Sequence, residues 1–211
     1  MRDSFTKKIK NRIDTLGEGA VFIANDFPEI ADYETVRRAL NRMVDAGVIQ
    51  RILRGVYYST HFNDFLQEHM VPDPHLVALA IARKFNWSIA PAGTTALNML
   101  GLSTQVPAAY FYVSNGPYNS FECGNIKIEF VHRSPRELTG MSDKTALIIQ
   151  GIRALGKGKV SRADVAKIRS KLSESERQTL LKEAAVTTAW VYRIIKEVCG
   201  SEDCANTSEV I

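Results

Sequence analysis

Apolar residues recur along this chain at spacings that switch between the helical and the extended period, and the switches divide it into elements. Over 4–16, Phe5, Ile9, Ile13 and Leu16 follow at steps of four, four and three, one helical stripe with Ser4 placed to cap it and Gly17 to stop it. A short apolar run at 20–23 predicts a strand, and Pro28, tolerated only in a helix's first turn, predicts a short second helix. From Asp32, a plausible N-cap, Val36, Ala39, Leu40, Met43 and Val44 form a clear apolar face that ends at Gly47. The text then turns β-favouring: VIQRIL, an Arg54-Gly55 corner and VYYS predict a hairpin, with Leu53-Arg54-Gly55 suiting a three-residue loop whose last position needs positive φ.

The middle of the chain is mixed. Two prolines break residues 61–72, after which Asp73 caps and Pro74 opens a largely apolar helix running toward Trp87. A short helix within 92–102 precedes strands at 109–114 and 126–131, and the turn-rich link between them has room for a further strand or a flap. The last third reads as helical. A stripe over 142–155 stops at GKGK, Ser161 with Asp164 and Ser173 with Glu176 have capping-box spacing, and Thr188 is placed to cap a final helix. Trp87 and Trp190 read as core anchors.

The order helix, strand, helix, helix, hairpin within the first sixty residues is that of a winged helix-turn-helix. The expected fold is therefore α+β: a winged helix-turn-helix over 1–60, a linker at 61–72, a mixed domain over 73–200 ending in a helical bundle, and an acidic frayed tail at 201–211.

Charge refines this picture. Ten basic residues face eight acidic ones over 1–60, three face five over 61–132, fourteen face seven over 133–199, and none face three over 200–211. A localised basic excess suits nucleic acid, an acidic protein or a solvated surface. On the predicted helix after Asp32, the polar face carries Glu34, Arg37, Arg38, Asn41 and Arg42, residue types that pair with guanine and adenine edges. Lys7 and Lys8 on the first helix, Arg51, and Arg54 at the hairpin tip fit sequence-independent phosphate contacts. The plain alternative is a solvated face, and it applies equally to Lys157, Lys159, Arg162, Lys167, Arg169 and Lys171.

Other chemistry finds little purchase. The three cysteines, Cys123, Cys199 and Cys204, form no CxxC pair, and His61, His69, His75 and His132 have no metal-ligand spacing, so neither a metal nor a cofactor is expected. No P-loop, GxGxxG, GxSxG or HExxH motif is present, and acidic pairs such as Asp26 with Glu29 or Asp143 with Asp164 are explained as helix-start residues. Tyr110, Phe111 and Tyr112 read as strand packing rather than a base-stacking platform. A non-enzymatic protein is expected. The charged N-terminus and the lack of a long apolar run point to a cytoplasmic protein without membrane contact.

Two stretches carry a family resemblance. DFPEIADYETVRRALNRMVDAGVIQRILRGVYYST resembles the N-terminal winged helix of AbiEi-like antitoxins, and AGTTALNMLGLSTQVP resembles the short helix, then Gly-Leu, then Val-Pro signature of their second domain. The resemblance implies a type IV toxin-antitoxin system of abortive phage infection. Its antitoxin represses its own operon at inverted repeats and counteracts a cognate nucleotidyltransferase-like toxin, in many cases without a stable complex. It would put Arg37, Arg38, Asn41, Arg42 and Arg54 in the DNA-contacting helix and wing. The alternative is a stand-alone winged-helix transcriptional regulator whose second domain senses a ligand or dimerises.

Overall fold

The computed structural model describes residues 2–60, 62–63, 68–135 and 138–200. The expected acidic tail at 201–211, with Cys204, and His61 lie outside them. Among the described residues the chain is α+β, with eight α-helices and sheets of three, two and four strands. It forms two compact units, Met1–Trp87 with Glu122–Ile126, and Ser88–Phe121 with Lys127–Ile211.

In the first unit, α1 (Arg2–Leu16) is followed by β1 (Val21–Phe22), a 3-10 turn at Ala24–Asp26, α2 (Tyr33–Asp45), and the hairpin of β2 (Gln50–Leu53) and β3 (Val56–Tyr58). The helix expected around Pro28 is replaced by that 3-10 turn, closed when the Asp26 carboxylate accepts from the Ile23 amide at 3.0 Å. Asp32 caps α2 by accepting from the Thr35 amide at 3.0 Å, and Gly47 follows the helix at φ +71°. The hairpin turn is tighter than expected: Leu53 pairs directly with Val56, leaving a two-residue loop, and the register shifts between Arg51 and Leu53. The extra residue is absorbed within the strand as an irregularity rather than in the loop.

The three strands lie in the order β1-β3-β2, all antiparallel, so Tyr57 sits between Phe22 on one side and Arg51 on the other. One face of the sheet closes a core of Ile9, Ile13, Phe22, Phe27, Val36, Leu40, Met43, Ile49 and Tyr57. Each large aliphatic side chain buried there contributes about 1.5–3 kcal/mol. Two two-residue strands, β4 (Phe62–Asn63) and β5 (Glu68–His69), pair within the stretch expected to be a linker.

The helix expected to open the second domain, α3 (Pro74–Phe85), instead packs on β1 and β3 of the first unit. Asp73 caps it through the His75 amide at 2.8 Å, with Pro74 in the first turn. Trp87, just past its end, is only half-buried and stacks on Phe85 with ring centroids 4.8 Å apart.

From Ser88 onward come β6 (Ile89–Pro91), a strand too short to predict, then α4 (Gly93–Met99), β7 (Tyr110–Ser114), β8 (Asn119–Cys123) and β9 (Ile126–His132). The sheet order is β6-β7-β9-β8, with β6 antiparallel and β9 parallel to β7. Four helices follow, α5 (Asp143–Leu155), α6 (Arg162–Arg169), α7 (Glu174–Glu183) and α8 (Ala189–Cys199), sharing an apolar core that includes Leu100, Ile148, Ile152, Ile168, Leu180, Val191 and Ile195. Both capping boxes form, Ser161 with Asp164 and Ser173 with Glu176. Thr188 precedes α8 but makes no capping hydrogen bond, and Trp190 is half-buried rather than a central anchor.

Candidate functional site

In α2, a residue pattern that buries Val36, Ala39, Leu40 and Met43 must turn Tyr33, Glu34, Arg37, Arg38 and Arg42 outward, because side chains three and four apart share a face. The β2–β3 hairpin stands beside this helix. Between them lies an open cleft of about 450 Å³, lined by Tyr33, Glu34, Arg37, Asn41, Arg51, Arg54, Gly55, Tyr57 and Lys84. Four of these are cations, and Glu34 is the single carboxylate among them.

Glu34 is itself engaged. Arg37 donates to its Oε2 from Nη2 at 2.8 Å and from Nε at 3.2 Å. That pairing holds the Glu34 carboxyl below its usual range and raises the Arg37 guanidinium further. The helix N-terminus therefore presents a neutralised pair, and the uncompensated charge gathers at the hairpin end of the cleft.

Asn41 occupies the centre, in a role the residue type alone does not disclose. Its side-chain carbonyl accepts from Arg51 Nη2 at 2.9 Å and from the Tyr57 hydroxyl at 3.0 Å. Both lone pairs of that oxygen are taken, so it has none left to accept from an adenine amino group. Asn41 organises the cleft: it fixes Arg51, whose guanidinium also lies 6.0 Å from the Tyr57 ring centroid. Burial pushes the Tyr57 phenol up, and the charge of Arg51 works against that shift.

The sequence-predicted residues divide into three groups. Arg37, Asn41, Arg51 and Arg54 meet in the cleft. Arg42 donates to the Thr6 hydroxyl of α1 at 3.2 Å, which directs it away toward the first helix, where Lys7 and Lys8 are exposed. Arg38, also exposed, is not part of the cleft lining.

Lys84 was not foreseen. It is the penultimate residue of α3, and its ammonium donates to the backbone carbonyl of Arg54 at 2.5 Å. Its Cε lies 3.5 Å from the place a Cβ on Gly55 would occupy. Burial, and next the charge of Arg54, lower its pKa from the ordinary 10.5. No local pattern relates Lys84 to a turn 30 residues earlier. The signal that was present is its position, beside Arg83, in the last turn of a largely apolar helix.

Elsewhere, several cations of the basic last third have structural partners. Arg169 donates to the carbonyls of Val198 and Glu197 at the end of α8, and Lys144 binds Glu176 and the carbonyl of Lys171, each at 2.8 Å. Among the described residues no group of three or more His, Cys, Asp or Glu could hold a metal ion, and no helix is long and apolar enough to cross a membrane.

Among solved structures the chain is similar to the RV2827C protein from Mycobacterium tuberculosis, at 14% identity and a TM-score of 0.38, over 86% of this chain and 72% of that one. No curated protein matches it. A family of unknown function, DUF6088, matches residues 8–180, and the chain belongs to that family.

Proposed function

We propose that the first unit is a winged helix-turn-helix that binds double-stranded DNA, with α2 entering the major groove and the β2–β3 hairpin serving as the wing. The observation that carries this reading is the cleft between them, in which Arg37, Arg51, Arg54 and Lys84 meet a single, already paired carboxylate. Such a surface attracts a polyanion, and a helix beside a hairpin matches the curvature of a duplex. Arg37 and Arg38, exposed on the N-terminal half of α2, are the base-reading candidates. Arg51 and Arg54, with Lys7, Lys8 and Arg42 on the α1 side, supply phosphate contacts.

On this reading the protein is non-enzymatic and acts in the cytoplasm, as the antitoxin of a type IV toxin-antitoxin pair that also represses its own operon. The support for the antitoxin role is the resemblance of 26–60 and 92–107 to AbiEi-like proteins, and the partner it implies is a nucleotidyltransferase-like toxin opposed functionally rather than through a stable complex.

Two measurements test the two halves separately. Binding of the full chain to the DNA upstream of its own gene, with and without Arg37 and Arg38, tests the groove-reading helix; unchanged selectivity in the double variant overturns it. Co-expression with the neighbouring gene tests the antitoxin role, which fails if that gene is harmless or if the chain gives no rescue of growth.

A further inference from the structure

Resting on the DNA-binding reading of the same cleft, we infer that Lys84 of α3, which lies outside the helix and hairpin, completes a phosphate-binding cradle with Arg51 and Arg54. The chemistry is that of a phosphate group, presented by a nucleic-acid backbone.

The geometry assembles this cradle from two separate parts of the chain. Arg51 comes from β2, held in place by Asn41 and by the ring of Tyr57. Arg54 comes from the two-residue turn. Lys84 reaches that turn from the end of α3, anchored by one hydrogen bond to the Arg54 carbonyl and with its ammonium 4.9 Å from the Phe85 ring. That anchoring uses one ammonium proton and leaves others to donate.

Two arginines and one lysine are thus gathered where the one carboxylate of the lining, Glu34, is already bound to Arg37. Burial, and then the nearby charge of Arg54, disfavour the charged form of Lys84, and a bound anion would offset both. The combination is also chemically apt. The arginine forks can take two oxygens of a phosphate, and the ammonium acts as a point charge on a third side. A sulfate-sized anion fills only part of a cleft of about 450 Å³, which leaves room for the sugar and neighbouring groups of a nucleic-acid backbone.

The test compares the full wild-type chain with K84Q, K84R and R54Q, using a labelled random-sequence duplex over a salt series and thermal melting in phosphate against chloride at matched ionic strength. Lys84→Gln is expected to weaken binding to every duplex alike and to lower the slope of log affinity against log salt by about 0.9, whereas Lys84→Arg keeps the slope. Unchanged affinity and slope in K84Q overturn the proposal, as does weaker binding with an unchanged slope, which would make Lys84 only a prop for the turn. If K84Q does not fold, an R54Q slope equal to wild type overturns the cradle on its own. Stabilisation of wild type but not K84Q by inorganic phosphate, with no duplex bound, would keep the phosphate site while sinking the DNA-binding reading; no response to duplex or phosphate sinks both.

Discussion

Arg83 grips Asp26 side on, with Nε at 3.0 Å from one carboxylate oxygen and Nη2 at 2.9 Å from the other, across 57 residues of chain. The same guanidinium donates to the Val21 carbonyl at 3.2 Å, tying α3 to both β1 and the 3-10 turn that leads into α2. Because Arg83 remains partly exposed, solvent screens the pair, and Arg83→Gln is expected to cost about 1–2 kcal/mol of stability, read as a lower denaturant midpoint. A protein fragment ending at residue 60 loses this clasp along with all of α3 and should melt below one ending at residue 87.

Asn41→Ala removes the acceptor shared by Arg51 and Tyr57. If the proposed reading holds, the expected result is a uniform loss of DNA affinity with base preference retained, since the side chain would position a phosphate contact rather than read an edge. Binding to a panel of related duplexes checks it, and a selective loss at one base pair would restore Asn41 to a reading role.

Arg38→Ala should behave in the opposite way, costing ~1–3 kcal/mol at one or two base positions and relaxing preference there. Arg54→Ala should lower the salt slope by about one for all sequences. Anisotropy titrations at several salt concentrations separate the two.

Gly151, inside α5, has Leu100 against it: a methyl group built there would run into Leu100 Cδ1, and Leu100 is itself buried. Gly151→Ala gains helix propensity but overpacks this contact, for a net loss of about 1–2 kcal/mol. Thermal melting measures it, and a rise in melting temperature would show that the core yields.

Glu176 caps α7 through Ser173 and also binds Lys144 at 2.8 Å, which lowers its carboxyl from the ordinary 4.5 to about 2. A depressed carboxyl favours the folded state above the unfolded value and ceases to do so as pH falls through the folded one. Between pH 4.5 and about 2 the wild type should therefore lose stability more steeply than Glu176→Gln. Melting curves across that range decide it, and parallel curves would contradict the assignment.

What could be read from the sequence was what local chemistry determines. Asp32 before its apolar stripe, Ser161 with Asp164, and Ser173 with Glu176 act within three residues, so spacing reveals them. The outward arginines of α2 follow from the same periodicity. What stayed hidden depends on tertiary pairing. Strand Ile89–Pro91 is too short for alternation to register, and it exists because β7 lies alongside. Asn41 lies on the polar face of α2 that the periodicity predicts, yet its oxygen is committed by Arg51 and Tyr57, which only the folded hairpin brings near. The apolar face of α3 shows in its sequence, but what Arg83 and Lys84 bind does not, since their partners are elsewhere in the chain.

The turn at Arg54-Gly55 spans two residues, with Gly55 at φ +79° and Lys84 holding the Arg54 carbonyl. A tip so short and so fastened has little freedom left to surrender when something docks on it. On the proposed reading, recognition there would work by a stiff point that an incoming anion must approach, the entropy of ordering having been spent when the chain folded.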